Sequence, residues 1–127
     1  MRIAIDTNRY VDFARGLPEA VERFRHADEI VVPFVVLGEL RAGFAGGGRV
    51  GVNEANLVRF LGSRRVEMVF ADESTTHHYA RLFQQLRRQG TPIPTDDLWI
   101  AALVVQHQLH LFARDAHFDH VPQIPRL

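Results

Sequence analysis

The sequence contains no cysteine and no lysine, and it has no long apolar run. The absence of cysteine excludes disulfide frameworks, thiol chemistry and thiolate metal sites. All fifteen basic residues are arginine, which excludes P-loop nucleotidases, protein kinases and Schiff-base enzymes, since these need a lysine amine. The longest apolar runs, 30–37 and 98–105, have eight residues each, whereas a membrane-spanning helix needs about 20. We therefore expect a cytoplasmic protein with no membrane span.

The length and composition are those of an ordinary globular protein. The chain has 127 residues, of which 46% are hydrophobic and 24% are charged. Fifteen acidic residues balance the fifteen arginines. Because a compact domain usually has about 100–150 residues, we expect a single domain over residues 1–127.

Short apolar runs alternate with longer helical patterns along the whole chain. The runs predict strands at 3–5, 30–32, 66–70 and 111–113, with a short fifth candidate at 123–126. Helices are predicted between them, with Asn53, Asp72 or Ser74, and Thr95 or Asp96 as N-caps. This alternation favours an α/β fold with a central parallel sheet of four or five strands, covered by helices on both faces.

Four acidic residues fall where the carboxyl edge of such a sheet is expected. Asp6 follows the first strand directly, and Asp115 follows the fourth strand after one intervening residue. Glu39 lies in the early turns of the helix after the second strand, and Asp97 opens the helix that leads into the fourth strand. Ligands of parallel sheets bind at this edge, so we expect the four carboxylates to meet there.

Each aspartate also has a purely local interpretation. Asp6 and Asp115 could each serve as a turn or helix-cap residue, and Asp97 could stabilise a helix N-terminus. Glu39 is harder to explain locally, because it lies in an apolar helical segment where an unpaired carboxylate needs a cation or a proton.

Taken together, the four carboxylates point to a metal site. Close carboxylates repel one another unless a cation neutralises them. No lysine is present to do so, and an arginine at the centre would block the site. Ligands that are all oxygen suit Mg²⁺ or Mn²⁺. Such a site favours metal-assisted hydrolysis of phosphodiesters.

Four motifs in order, together with the tail at 121–125, resemble those of the PIN-domain family, and in particular its VapC-like toxins of toxin–antitoxin pairs. The motifs are Ile-Asp-Thr-Asn at 5–8, Glu-Leu-Arg-Ala-Gly at 39–43, Thr-Asp-Asp-Leu-Trp-Ile-Ala-Ala at 95–102 and Ala-Arg-Asp-Ala-His-Phe at 113–118. The resemblance implies a three-layer α/β/α sandwich and an endoribonuclease that depends on Mg²⁺ or Mn²⁺.

The resemblance also implies roles for individual residues. The metal ligands and catalytic residues would be Asp6, Glu39, Asp97 and Asp115. Side chains that support these acids without binding the metal would be Thr7, Asn8 and Asp96. Two positions depart from the pattern: Ala113 stands where many relatives have Thr or Ser, and His117 stands where some have an aspartate.

An arginine-rich segment is a candidate RNA-binding surface. The stretch from 41 to 65 contains five arginines and one acid, Glu54, which gives a local charge of +4. A basic surface beside a metal site suits an RNA backbone. The candidates for RNA contact are Arg9, Arg41 and Arg49, although any one of them could equally be an ordinary solvated arginine.

By the same resemblance, we expect a homodimer that is inhibited by a VapB-like antitoxin. The alternative function is a PIN-type module that binds RNA or protein without cutting. A zinc site at the pairs His107/His110 or His117/His120 is a weaker alternative, because no cysteine is available and neither pair lies clearly in one predicted element. Trp99, Ile100, Leu103 and Tyr79 are expected in the core.

Overall fold

The computed structural model describes all 127 residues and contains one parallel sheet of four strands. The strands are β1 (Arg2–Ile5), β2 (Glu29–Pro33), β3 (Val66–Val69) and β4 (His110–Phe112). The helices are α1 (Thr7–Ala14), α2 (Pro18–His26), α3 (Phe34–Ala45), α4 (Val50–Leu61), α5 (Glu73–Gln89) and α6 (Thr95–Gln106). A short 3-10 helix, Ala116–His120, follows β4.

The strand order, β3-β2-β1-β4, explains the layers. The chain moves in one direction from β1 through β2 to β3 and then crosses back to β4 on the far side of β1. Because such crossovers are almost always right-handed, the reversal places α1–α4 on one face and α5 and α6 on the other. The structure confirms the predicted α/β sandwich.

The core lies on both faces of the central strand. Ile3, Ala4 and Ile5 are consecutive in β1 and all are fully buried, as expected of a strand covered on each side. Helix α6 is buried almost all round, which accounts for its unbroken apolar sequence. Within it Ile100 and Leu103 are buried as predicted.

Two aromatic residues predicted as core lie at its margin. Trp99 and Tyr79 are half-buried, and their ring centroids are 4.2 Å apart between α6 and α5. Both pack against the buried cluster from outside. None of the helices combines the length and apolar character needed to cross a membrane.

Several boundaries differ from the sequence prediction. The segment at 123–126 forms a single bridge between Arg126 and Leu111, so the sheet has four strands and no fifth. Helix α4 begins at Val50, so Asn53 lies inside the helix and is not its cap. Helix α6 begins at Thr95 directly after Pro94, with no side-chain cap, so a cap at Thr95 or Asp96 was wrong.

The prediction for α5 is confirmed at both ends. The Asp72 side chain accepts a hydrogen bond from the backbone amide of Thr75, and the Thr75 hydroxyl oxygen accepts one from the backbone amide of Asp72, which forms a capping box. The helix ends at Gly90, which has φ of +76°, a left-handed conformation that glycine adopts without strain.

Candidate metal centre

The candidate site lies where the strand order reverses. Strand β1 is flanked by β2, to which the chain passes next, on one side, and by β4, which the chain reaches by the long crossover from β3, on the other. Crevices at such a point are the usual ligand sites of open parallel sheets. Ile5 pairs with Phe112 at this edge. Asp6 and Asp115 therefore follow neighbouring strand ends.

Asp6 is buried and also serves as the N-cap of α1. Its Oδ1 accepts a hydrogen bond from the backbone amide of Arg9 at 2.8 Å. Burial raises the pKa of the Asp6 carboxyl above its usual value, while the backbone amides of Arg9 and Arg114 act in the opposite direction. The cap fixes the carboxylate at the end of β1.

Glu39 lies in the second turn of α3 and is held by a residue of α1. The Thr7 hydroxyl donates to Oε1 of Glu39 at 2.9 Å. Desolvation raises the pKa of Glu39, and the negative charges of Asp96, Asp97 and Asp6 raise it further. Glu39 is solvent-exposed as a residue, so the apolar segment around it does not bury the whole side chain, although the carboxylate is partly desolvated.

The remaining two acids meet around a histidine. Nδ1 of His117 lies 2.8 Å from Oδ2 of Asp97 and 3.0 Å from Oδ1 of Asp115. Potential ligand atoms of the three residues all lie within 4.8 Å of one another. Burial raises the pKa of Asp97 despite the hydrogen bond from His117, and that same bond raises the pKa of His117.

The local and the functional interpretations apply to the same residues. Asp6 caps α1, and Asp115 caps the 3-10 helix by accepting the His117 backbone amide at 2.9 Å. Asp97 is not a cap, since its helix begins two residues earlier after Pro94. Capping therefore orients two of the acids and leaves the others free for other partners.

The three residues expected to support these acids behave differently. Thr7 contacts Glu39 as described. Asn8 is exposed on the first turn of α1, where its side chain has no hydrogen-bond partner in the chain. Asp96 is exposed and contributes negative charge that raises the pKa of Glu39 and of Asp97.

The position of Arg9 argues against its predicted contact with RNA, which stays a prediction. Its side chain is only 10% exposed. The guanidinium lies 4.0 Å from the centre of the Phe112 ring and pairs with Asp12 and Glu19. A buried guanidinium that is stacked and paired inside the fold is not available to a phosphate backbone.

The other two RNA candidates lie on the surface. Arg41 pairs with Glu54 of α4, with its Nε 2.7 Å from Oε1, so its charge is already partly balanced. Arg49 is exposed at the start of α4 and has no ion pair. Of the three predicted residues, Arg49 is the one whose charge is unpaired.

The donor set fits a divalent cation. Carboxylates predominate, and these bind hard divalent ions such as Mg²⁺ and Mn²⁺. The two histidine pairs do not form a zinc site, because His117 joins the aspartates without His120, and His107 and His110 are not in the cluster. His117 itself was missed as a member of the site, although it lies two residues after Asp115.

A wide groove lies beside α1. It has a volume of about 670 Å³ and is lined mainly by apolar side chains of α1, α2 and α4, including Phe13, Val21 and Phe60. A second groove of about 480 Å³ shares Tyr10, Ala14 and Asn56 with the first.

Comparison with known proteins agrees with this architecture. The family model described as PIN domain matches residues 3–124. Ribonuclease VapC1 of Haemophilus influenzae (strain R2866) is 28% identical over 121 residues, which cover 87% of this chain and 89% of the relative.

Two solved structures share the fold along the whole chain. VapBC2 from Rickettsia felis, bound to a DNA fragment from its promoter, has a TM-score of 0.87 at 23% identity and covers 100% of this chain and 98% of that one. DNA-bound VapBC from Salmonella typhimurium has a TM-score of 0.88 at 22% identity and covers 100% and 97%. Because the PIN domain model matches residues 3–124, nearly the whole sequence, the chain belongs to the PIN domain family.

Proposed function

We propose that this chain is a metal-dependent endoribonuclease and the toxin of a VapBC-like toxin–antitoxin pair. The observation that carries the proposal is that acids from separate elements lie around one sheet edge: Asp97 and Asp115 share a cluster with His117, and Asp6 and Glu39 lie beside it, outside the 4.8 Å grouping. The negative charges of Asp6 and Asp97 raise the pKa of Glu39, and the negative charge of Asp115 raises the pKa of Asp97. We assign Asp6, Glu39, Asp97 and Asp115 as the metal-binding and catalytic residues, with Mg²⁺ or Mn²⁺ as the ion.

A divalent ion in such a pocket would activate a water molecule and stabilise the charge that develops on the phosphoryl group. The chain's own groups set the positions of the ligands. The Arg9 amide orients Asp6, the Thr7 hydroxyl orients Glu39, and the His117 amide orients Asp115. Carboxylates held in place before the ion arrives lose little freedom on binding it.

The named activity of the relative supports this assignment. The Haemophilus influenzae protein is named a ribonuclease, and the likeness to it extends over 87% of the chain. Arg49 is the candidate for contact with the RNA backbone, since its charge is exposed and unpaired. Cleavage of cellular RNA would take place in the cytoplasm.

An antitoxin is the proposed protein partner. The neighbours from Rickettsia felis and Salmonella typhimurium are VapBC assemblies, which supports a VapB-like partner for this chain. The apolar groove between α1, α2 and α4 is large enough to receive a segment of such a partner. The homodimer stays a prediction, which sedimentation analysis of the purified chain would test.

The nuclease proposal is tested by incubating the purified chain with total RNA under chelation and then with added Mg²⁺ or Mn²⁺. We expect cleavage only with the ion. Asp97→Asn removes the negative charge of one proposed ligand and should reduce cleavage about 10²–10³-fold, the usual cost of losing a preorganised electrostatic group. Glu73→Gln neutralises an exposed acid at the start of α5 that has no ion pair, and it should leave cleavage unchanged.

Two results would reject the proposal. Cleavage that continues in the presence of chelator would show that no divalent ion is needed. RNA binding without cleavage at any ion concentration would favour the alternative, a non-catalytic PIN-type module. Circular dichroism of both variants keeps a loss of fold separate from a loss of chemistry.

A further inference from the structure

The side chain of His117 lies between two of the acids, a position that neither helix capping nor simple surface exposure explains. Its ring reaches between Asp97 of α6 and Asp115 at the end of β4, within 2.8 Å of one and 3.0 Å of the other. Both contacts use Nδ1, so a single nitrogen lies against two carboxylates from different elements. The side chain is half-exposed at 45%, which leaves the ring open to solvent on its other side.

The basic side chain of Arg114, next to Asp115 in sequence, points away from these acids. The guanidinium of Arg114 is bound to Asp12, with its Nε 3.0 Å and its Nη2 3.1 Å from the two carboxylate oxygens. The imidazole is therefore the basic side chain that the carboxylates of Asp97 and Asp115 contact, since Arg126 reaches only the backbone carbonyl of Asp115, at 3.4 Å. Its position is fixed by the turn, since the His117 amide donates to Asp115.

The three donor groups are already gathered. One ligand atom from each of Asp97, Asp115 and His117 lies within 4.8 Å of the other two, so an ion could meet all three without a change of fold. The nitrogen changes the chemistry of the set. Mg²⁺ is bound almost entirely by oxygen ligands, whereas first-row transition-metal ions such as Mn²⁺ also accept an imidazole nitrogen. A site with both oxygen and nitrogen ligands therefore favours the transition-metal ion.

We propose that His117 is a nitrogen ligand of the divalent ion and that it shifts the preference of this site from Mg²⁺ towards Mn²⁺. The proposal rests on the metal site assigned under the proposed function. It adds a ligand of a different chemical class and a direction of metal selectivity. An aspartate at this position would give an oxygen-only site.

The test uses Mn²⁺ itself as the probe, on the full chain. Pulsed electron paramagnetic resonance of the chain with less than one equivalent of Mn²⁺ detects a directly bound ¹⁴N nucleus. We expect this coupling in the unchanged chain and in His120→Asp, a control that makes the same substitution at an exposed histidine outside the cluster. The coupling should be lost in His117→Asp.

Equilibrium binding provides the second measurement. The ratio of Mn²⁺ to Mg²⁺ affinity should fall at least about tenfold in His117→Asp, the scale on which a metal site responds to the loss of a supporting group. The control variant should keep the ratio of the unchanged chain. Thermal unfolding of the metal-free variants verifies that both are folded.

The possible outcomes distinguish failure of the His117 proposal from failure of the proposed metal site. Mn²⁺ binding without ¹⁴N coupling, or coupling that persists in His117→Asp, would overturn the role of His117 and leave the carboxylate site standing. Failure of the unchanged chain to bind Mn²⁺ or Mg²⁺ would overturn both. Coupling that disappears with His117 while the affinity ratio stays constant would overturn the selectivity.

Discussion

Arg114 holds the buried carboxylate of Asp12 with two nitrogen atoms, Nε at 3.0 Å and Nη2 at 3.1 Å. The pair joins α1 to the segment after β4 across 102 residues. Asp12 is 3% exposed, and Arg9 also contacts its Oδ2, at 3.4 Å. Because the Arg114 backbone also faces Asp6, this pair braces the edge of the sheet on which the acids lie.

Asp12→Ala should therefore destabilise the fold. It leaves Arg9 buried beside Phe112 with only the exposed Glu19 as a partner, and an uncompensated buried charge costs about 3 kcal/mol. Urea unfolding measures the loss. Glu19→Gln removes the exposed partner and should cost no more than about 1 kcal/mol. Equal losses in the two variants would show that Asp12 does not have this bracing role.

Thr7→Val should impair cleavage while leaving the fold intact. The substitution keeps the shape of the side chain and removes the hydroxyl that donates to Glu39 at 2.9 Å. Loss of a group that orients a metal ligand usually reduces affinity or activity about 10–100-fold. Thr76→Val changes an exposed threonine of α5 and is the matched control. Metal-dependent RNA cleavage that is unchanged in Thr7→Val would argue against the orienting role.

Stability should depend on pH and metal together. The pKa values of Asp6, Glu39 and Asp97 are all raised, chiefly by burial. A raised folded-state pKa means that the folded chain binds these protons more tightly than the unfolded chain. Above the raised pKa values the three carboxylates therefore disfavour the folded state, and this cost disappears as the pH falls towards the usual values of 3.8 and 4.5.

Mn²⁺ should therefore raise the unfolding temperature most at neutral pH. When the free Mn²⁺ concentration is 100 times the dissociation constant, binding adds about 2.7 kcal/mol to the free energy of unfolding. The increase should shrink as the pH falls through the raised pKa values, because protons then occupy the carboxylates. Thermal scans with and without Mn²⁺ at several pH values measure it. If Mn²⁺ raised the unfolding temperature equally at every pH, the ion would not be bound by these carboxylates.

Arg49→Gln should weaken RNA binding without sequence preference. An exposed, unpaired arginine that contacts one phosphate contributes about one unit to the slope of log affinity against log salt. The comparison is made with Arg64→Gln, an exposed arginine just before β3 at the opposite edge of the sheet. Using Asp97→Asn in both backgrounds keeps the RNA intact during the measurement. If log affinity falls with log salt at the same slope in both variants, Arg49 does not contact the RNA backbone.

Local patterns predicted most of the fold. The buried run Ile3–Ile5 predicted β1, and the Asp72 cap and Gly90 predicted the ends of α5. These features depend on residues a few positions apart. The helix starts at Val50 and Thr95 were placed wrongly, because both helices begin without a side-chain cap and so carry no local signal for their first residue.

Long-range contacts could not be predicted in the same way. Arg9 is buried because Phe112, 103 positions away in sequence, provides a ring for its guanidinium, and nothing near Arg9 indicates this. The position of His117 depends on the 3-10 turn after Asp115, which brings the ring back to Asp97. The placement of Asp6 and Asp115 after neighbouring strand ends was predictable, because the carboxyl ends of parallel strands share one edge, whereas the metal site itself stays a prediction.

The most direct test of the acidic pocket is the location of the ion itself. Crystals of the chain grown with Mn²⁺ and measured near the manganese absorption edge give an anomalous difference map. We expect one strong peak at the carboxyl ends of β1 and β4, in contact with Asp97 and Asp115. A map with no peak there, or with manganese bound at another surface, would contradict the assignment of these acids as a metal site.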